Sequence, residues 1–311
     1  MRHTENIAVI DIGSNTLRLL VGNIEENKIN KIYSARTVTR LGKNLTEKKF
    51  IDHDSVETSI NTLKEFKNIA EKFNVSCIIA VGTSALREAE NAKSFCDLVE
   101  KTLKIKIKII SGQQEAYYTL CGVMNEEIEK ESSIFLIDVG GGSTEWIYLK
   151  NDKVNMGSIP VGALKINEIF LKEDPPLLNS VYEAKKFIVE EFKKFLPKLN
   201  IDKIIITGGT ASTLAMINLG LSCYCPEKTH MSMILVTKIK QILEKLLSIS
   251  LKERKKIKGI PSDRADIICA GLLILETIAE CLNAENVIIS ESGILEGIMK
   301  NYKKFCYNNK L

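Results

Sequence analysis

One pattern constrains this fold more than any other: the same punctuation occurs twice, in the same order. Asp11-Ile-Gly-Ser-Asn-Thr recurs as Asp138-Val-Gly-Gly-Gly-Ser-Thr, and Gly82-Thr83-Ser84-Ala85 recurs as Gly209-Thr210-Ala211-Ser212. Ser111-Gly112 before Glu115 recurs as Ser292-Gly293 before Glu296. In the first half, apolar runs at 7–12 and 17–24 flank GSNT and read as two antiparallel strands across a tight turn, with a third strand over 28–40. A helical pattern at 54–73, a buried strand at 77–82, a helix at 91–103, an alternating strand at 103–110 and a helix opening at SGQQEA follow. The second half repeats the plan: strands at 134–139, EWIYL and VNMGSIPV, helices at 163–171 and 180–195, a strand at 203–207, helical stretches to about 283, a strand at 287–290 and a closing helix. This is an internal duplication. It predicts an α/β chain of two lobes, each a mixed sheet covered by helices, with the matching turns lining a cleft between them.

Composition narrows the function classes. The chain has 311 residues, 45% hydrophobic and 26% charged, with a formal net charge of only +4. That balance suits a soluble globular protein. It speaks against a dedicated nucleic-acid partner but allows a local basic cleft for a polyanion. The start MRHTENIAVIDIG lacks the apolar core of a signal peptide, and no run approaches a membrane span, so no membrane partner and a cytoplasmic location are expected. The eight cysteines, at 77, 96, 121, 223, 225, 269, 281 and 306, are read as reduced and mostly buried. Cys223 and Cys225 form a C-x-C without a second pair, so no zinc site is expected. Histidines at 3, 53 and 230 stand in no constellation, which disfavours histidine catalysis. The basic runs at 251–259 and 300–305 read as solvated helix faces rather than as a track for polyphosphate.

The chemistry concentrates at the repeated turns. In DVGGGSTE, three glycines after a buried strand let the backbone approach a ligand, and the N–H groups of Gly140, Gly141, Gly142 and Ser143 form a phosphate nest. Asp138, at the strand end, is placed to hold a divalent cation. A tight turn alone accounts for one such hairpin, but not for two in duplicated positions, where Ser14, Asn15 and Thr16 follow Asp11. Thr83 and Ser84, like Gly208, Gly209 and Thr210, sit at strand-to-helix junctions whose N–H groups and hydroxyls suit an anion. Arg87 lies within reach of the same site and can clamp a phosphate through two hydrogen bonds, or else serve a surface ion pair. Glu115 falls in the first turn of a helix; it is the candidate base for a water attacking phosphorus, or else a carboxylate favoured by the helix dipole. Glu145 either orients that water or the metal's hydration shell, or points outward as a solvated charge.

The stretches AVIDIGSNTLRLLV, VGTSALREAEN, IISGQQEA, LIDVGGGSTEW, IPVGALKINEIF, IITGGTASTLA and SDRADIICAGLLIL resemble, in the expected order, the exopolyphosphatase / guanosine pentaphosphate phosphohydrolase (Ppx/GppA) family. That family belongs to the actin–sugar kinase–Hsp70 superfamily. The resemblance implies two ribonuclease-H-like lobes, placed at 1–126 and 127–291, with the closing segment 292–311 packed on the first. It implies a magnesium-dependent hydrolase, manganese being the alternative metal, that releases terminal phosphate from polyphosphate or from guanosine pentaphosphate (pppGpp, giving ppGpp). By motif, Glu115 looks like the base, Asp138 with Asp11 the metal ligands, Glu145 an assisting acid and Arg87 a phosphate clamp. Arg18 and Arg264 are similar to positions that contact the substrate. Many relatives dimerise, so a homodimer is among the expected assemblies.

Departures from the pattern are few. Gln114 stands where many relatives carry a second Glu, Leu295 replaces a usual Arg, and the additional C-terminal helical domains of longer relatives have no counterpart in this sequence, which puts processivity on long chains in doubt. Two other readings share the phosphate turns: an ATP-dependent small-molecule kinase of the same superfamily, and a non-catalytic regulator that binds ppGpp or pppGpp. Glu115 within SGQQEA argues against the kinase, and retention of Asp11, Glu115, Asp138 and Glu145 argues against the regulator.

Overall fold

Ile7–Ile12 (β1) and Thr16–Glu25 (β2) pair antiparallel across the Gly13–Asn15 turn, in a register that sets Asp11 opposite Arg18. Every residue of β1 is buried. Its pleat sends Ala8, Ile10 and Ile12 into one apolar cluster and Ile7 and Val9 into another on the opposite face, as a strand covered on both sides requires. The computed structural model describes residues 5–26, 28–124, 132–151, 153–195 and 201–306. It divides into two compact units, Met1–Asn125 with Ser292–Leu311, and Glu126–Glu291.

The first unit continues with Lys28–Val38 (β3), Leu45–Lys48 (α1), His53–Lys72 (α2), Cys77–Gly82 (β4), Ser84–Glu88 (α3), Ala92–Leu103 (α4), Ile107–Ile109 (β5) and Gly112–Val123 (α5). Its sheet runs β3-β2-β1-β4-β5, with β4 parallel to both β1 and β5. The side chain of Asp52 caps α2 by accepting from Ser55 N at 2.8 Å. The strand expected over 103–110 contracts to three residues, because Lys104 ends α4 in the left-handed conformation (φ 58°).

The second unit holds Ile134–Val139 (β6), Thr144–Lys150 (β7), Lys153–Ile159 (β8), Ala163–Phe170 (α6), Leu178–Lys193 (α7), Lys203–Thr207 (β9), Gly208–Asn218 (α8), Pro226–Thr229 (α9), Met233–Leu235 (β10), Val236–Leu247 (α10), Leu251–Arg254 (α11), Ile268–Cys281 (α12) and Asn286–Ile289 (β11). Its sheet order is β10-β11-β9-β6-β7-β8. Taken from the hairpin edge inward, β8-β7-β6-β9-β11 repeats β3-β2-β1-β4-β5 strand for strand, so the duplication inferred from the turns holds in the topology. β10, antiparallel on β11, is an addition that the sequence pattern does not reveal. Residues 268–279 of α12 are buried all round, so this helix forms the middle of its unit's core.

After β11 the chain returns to the first unit as Ile294–Lys300 (α13) and Lys303–Cys306 (α14). α13 packs on α5 backbone to backbone: a Cβ added to Gly297 would stand 1.7 Å from the Tyr118 carbonyl, so no larger residue fits there. Lys300 donates to the carbonyls of Cys121 and Met124, both at 2.9 Å, and so caps the last turn of α5.

Two expectations about side chains are corrected. Cys77 and Cys306 form a disulfide that ties the start of β4 to α14, and of the described free cysteines only Cys269 is buried. Local spacing carries no signal for a bond spanning 229 residues. In the basic run at 251–259, Arg254 is buried and ion-paired with Asp174, not solvated. No described helix is long and apolar enough to cross a membrane.

Candidate functional site

In the first unit, candidate site residues lie at the carboxyl ends of β1 and β4. Asp11 is buried, and its Oδ2 accepts from Arg18 Nε at 2.9 Å and Nη2 at 2.6 Å. Its other oxygen, Oδ1, is buried with no hydrogen-bond partner, a position that costs about 1–3 kcal/mol unless a donor or cation arrives. Arg18, expected on the substrate, is therefore engaged with Asp11. Ser14, Asn15 and Thr16 are buried in the turn. Loop 39–42 holds that turn: Gly42 N donates to Ser14 O at 2.7 Å, and Thr39 N and Arg40 N donate to Asn15 O at 3.1 and 3.0 Å. Thr83 donates through its N–H and its hydroxyl to Ile12 O, and Ser84 Oγ donates to Glu88 at 2.7 Å. Both hydroxyls thus fasten the junction in place.

Arg87 and Glu115 are brought together. Arg87 Nη1 donates to Glu115 Oε2 at 2.6 Å and to the Ile110 carbonyl at 3.1 Å. Glu115 lies in the first turn of α5, whose N-terminus is fixed by a capping box: Gln114 N donates to Ser111 Oγ, and Ser111 N donates to Gln114 Oε1 at 2.9 Å. Gln114 is thereby explained. It holds the helix start that aims Glu115, and an amide does that as well as a carboxylate.

In the second unit, Asp138 of β6 faces Glu145 of β7 in register and pairs with Thr207 of β9 on its other side. Glu145 is 1% exposed, and its Oε1 accepts from Ser143 Oγ at 2.8 Å and Ser158 Oγ at 2.7 Å. It is an inward carboxylate held by two hydroxyls, not a solvated charge. The Gly140–Ser143 turn closes with Gly140 N on Ser143 O at 2.9 Å, and its carbonyls accept from the first turn of α6, Ala163 N and Leu164 N both at 2.9 Å.

Asp138 also reaches the start of α8. Gly208 has φ +85°, and a Cβ there would stand 2.3 Å from Asp138 Oδ1. A Cβ on Gly209 would meet Arg264 Nη1 at 1.5 Å, so the guanidinium lies directly on the helix's first turn. Asp138, Gly208, Gly209 and Arg264 thus form one cluster. Thr210 is buried with its hydroxyl against Gly271 of α12.

Sequence reasoning missed Glu291. At the end of β11, its Oε2 accepts from Ser212 Oγ at 2.7 Å and Tyr224 OH at 2.6 Å, its backbone N donates to His230 Nδ1 at 3.2 Å, and its Oε1 is buried without a partner. The one local signal is its place just past an apolar strand, which mirrors Ile110 before Ser111.

No group of three or more His, Cys, Asp or Glu that could hold a metal occurs among the described residues. Magnesium takes one or two carboxylates with several waters and substrate phosphates. Asp138, beside a second carboxylate, and the open Oδ1 of Asp11 each fit that demand.

The model of the Ppx/GppA phosphatase family matches residues 20–304. The crystal structure of the Aquifex aeolicus member of that family superposes with a TM-score of 0.81 at 31% identity, covering 96% of this chain and 97% of that one. A bifunctional 3-dehydroquinate synthase/phosphatase of Fusobacterium nucleatum is 30% identical over 94% of this chain, which spans only 46% of that longer protein. Exopolyphosphatase 2 of Mycobacterium tuberculosis is 23% identical, over 94% of this chain and 97% of its own length. The expected fold of two mixed sheets with flanking helices is that of the family's solved structures.

Proposed function

This chain belongs to the Ppx/GppA phosphatase family, and from that membership we propose that it hydrolyses the terminal phosphoanhydride of inorganic polyphosphate. The observation that carries the reading is Glu115 at the N-terminus of α5, oriented by Arg87 at 2.6 Å. In the proposed step, Glu115 takes a proton from water while the water oxygen attacks the terminal phosphorus. The bond from that phosphorus to the bridging oxygen breaks, its electron pair stays with the shortened chain, and orthophosphate leaves.

The second unit supplies charge control. In the second unit Asp138 would hold a magnesium or manganese ion and Glu145 would order the ion's water, while in the first unit the unpartnered Oδ1 of Asp11 is a separate candidate for a cation. When bound, the ion offsets phosphate charge and draws electron density from the terminal phosphorus. The Gly140–Ser143 turn and the Gly208–Gly209 helix start carry N–H groups suited to phosphate oxygens. Arg264, on that helix start, adds a fixed cation.

Guanosine pentaphosphate presents the same terminal bond, and we propose it as a second substrate. The name of the Mycobacterium tuberculosis relative favours polyphosphate as the first. The test is phosphate release from both compounds, side by side, with magnesium and with manganese. Release from polyphosphate that is lost in Glu115→Gln supports the reading. Tight binding of guanosine pentaphosphate with no release from either compound would overturn it in favour of a regulator.

A further inference from the structure

At the starts of β4 and β5, a groove of about 870 Å³ opens in the first unit. It runs along Cys77–Ala80 of β4, and its lining stops two residues short of Gly82 at the Gly82–Thr83 junction. Lys67, Lys104, Lys106, Lys108 and Lys304 line it, against a single carboxylate, Glu71, which sits 3.6 Å from Lys67. Lys104, Lys106, Lys108 and Lys304 are exposed, and none has an ion-pair partner among the described residues.

The alternation of Ile105 and Ile107, buried, with Lys104, Lys106 and Lys108, exposed, follows the two-residue period of an extended chain. Edge protection explains part of this, since β5 ends its sheet and lysine there discourages pairing with another chain. It does not explain Lys304. That residue is carried by α14, which the Cys77–Cys306 bond holds against β4. Phe305 beside it packs on Tyr118, with ring centroids 5.4 Å apart, and lies under Lys108 Nζ at 4.9 Å. Lys304 Nζ itself lies 5.5 Å from the centroid of the Tyr117 ring, so the fold fastens a further cation onto a rim of like charges, which favours a bound anion.

We propose that this groove is a second, non-catalytic binding site for a flexible chain of phosphates. The proposal rests on the reading of the protein as a polyphosphate hydrolase. Ammonium groups are compact charges on mobile stems without the planar fork of arginine, so they suit a linear anion of no fixed geometry. Single-stranded nucleic acid would need an open aromatic face for its bases, whereas at this rim the Phe305 ring is covered by Lys108 and Tyr118 and the Tyr117 ring carries Lys304 Nζ at 5.5 Å. A chain held here is retained between turnovers, so long polyphosphate gains effective concentration at the protein and a three-phosphate chain does not.

The test replaces Lys104, Lys106 and Lys304 together by alanine in the full chain, with a triple glutamine variant beside it and thermal unfolding recorded for both. Equilibrium titration is run with long-chain polyphosphate, tripolyphosphate and a single-stranded oligonucleotide. Affinity for long-chain polyphosphate should fall at least tenfold in both variants at an unchanged unfolding midpoint. The slope of log affinity against log salt should shrink by roughly two, at about 0.7 for each phosphate that a lysine no longer neutralises. KM on long chains should rise with unchanged kcat, and phosphate release from tripolyphosphate should stay as it was. Long-chain affinity equal to that of the parent protein overturns the proposal. So does an oligonucleotide that binds as tightly as polyphosphate and is lost in the same variants, since the groove would then serve nucleic acid. Lysine-dependent polyphosphate binding without phosphate release from any chain would keep the groove and reject the hydrolase reading.

Discussion

Arg87 Nη1 lies 2.6 Å from Glu115 Oε2, and the same nitrogen donates to the Ile110 carbonyl at 3.1 Å, so the guanidinium bridges a strand end and the first turn of α5. If Arg87 acts by aiming Glu115, the two residues behave as one unit. Glu115→Gln should lower phosphate release by roughly 10²–10⁴, the usual range for removing a general base, while polyphosphate still binds in a titration. Arg87→Met should lose most of the same rate, and the double variant should be no worse than Glu115→Gln alone. Additive losses would instead assign Arg87 an independent hold on the substrate.

The duplicated hairpins differ where chemistry is expected. Asp11 faces Arg18 across β1 and β2, whereas Asp138 faces Glu145 across β6 and β7. The second arrangement sets two carboxylates in register, and a divalent cation bound there, as proposed, would relieve their repulsion. Millimolar magnesium should therefore raise the unfolding temperature of the parent protein, because an ion that binds only the folded chain stabilises it. Asp138→Asn should abolish that rise. An equal rise in Asp138→Asn would remove Asp138 from the metal site.

Much of this was legible in the sequence because it rests on local patterning. The hairpins at Asp11 and Asp138 follow from apolar runs on either side of Gly-rich turns, and the presence of two mixed sheets follows from repeating that unit. The pairing of Cys77 with Cys306, the hold of Arg18 on Asp11 and the burial of Arg254 were not legible. Each depends on which distant segments meet, and neither spacing nor composition records that. Glu291 escaped for a related reason: its partners Ser212, Tyr224 and His230 come from separate segments, and only the alignment of β11 beside β9 gathers them.

Gly209 tests the placement of Arg264. A Cβ at that position would stand 1.5 Å from Nη1, so Gly209→Ala must displace the guanidinium from the start of α8. KM for polyphosphate should rise about tenfold, equivalent to roughly 1.4 kcal/mol of binding. Arg264→Ala should do the same, and combining the two should add little. A Gly209→Ala protein with the parent's KM would show that Arg264 takes no part in holding the substrate.

Stability should carry a pH signature from Lys185, Glu276 and Glu280. Lys185 Nζ lies 3.1 Å from Glu276 Oε2 and 2.7 Å from Glu280 Oε2. Burial raises the Glu276 pKa above its ordinary 4.5, and a hydrogen bond with Glu280 adds to the rise. The hydrogen bond from Lys185 lowers that of Glu280. Burial alone would lower Lys185, but its bonds to Glu280 and Glu276 outweigh that, and its pKa is raised. A raised carboxyl opposes folding once it ionises, so the unfavourable share of Glu276 grows as pH climbs from about 4.5 through its folded value. The lowered Glu280 stabilises above 4.5 and loses that as pH falls through its folded value. Glu276→Gln should thus match the parent near pH 4 and gain on it by neutral pH, by about 1 kcal/mol, since replacing a buried charge can stabilise. Lys185→Met leaves Glu276 buried beside Glu280 without its cation. It should cost about 2 kcal/mol at pH 7.5, less than the 3–5 kcal/mol of a fully buried pair, because the Lys185 side chain is 35% exposed and screened by water. Urea midpoints at pH 4 and 7.5 decide it. A Glu276→Gln protein less stable than the parent at pH 7.5 would mean that the ionised triad is a net stabiliser of α7 on α12.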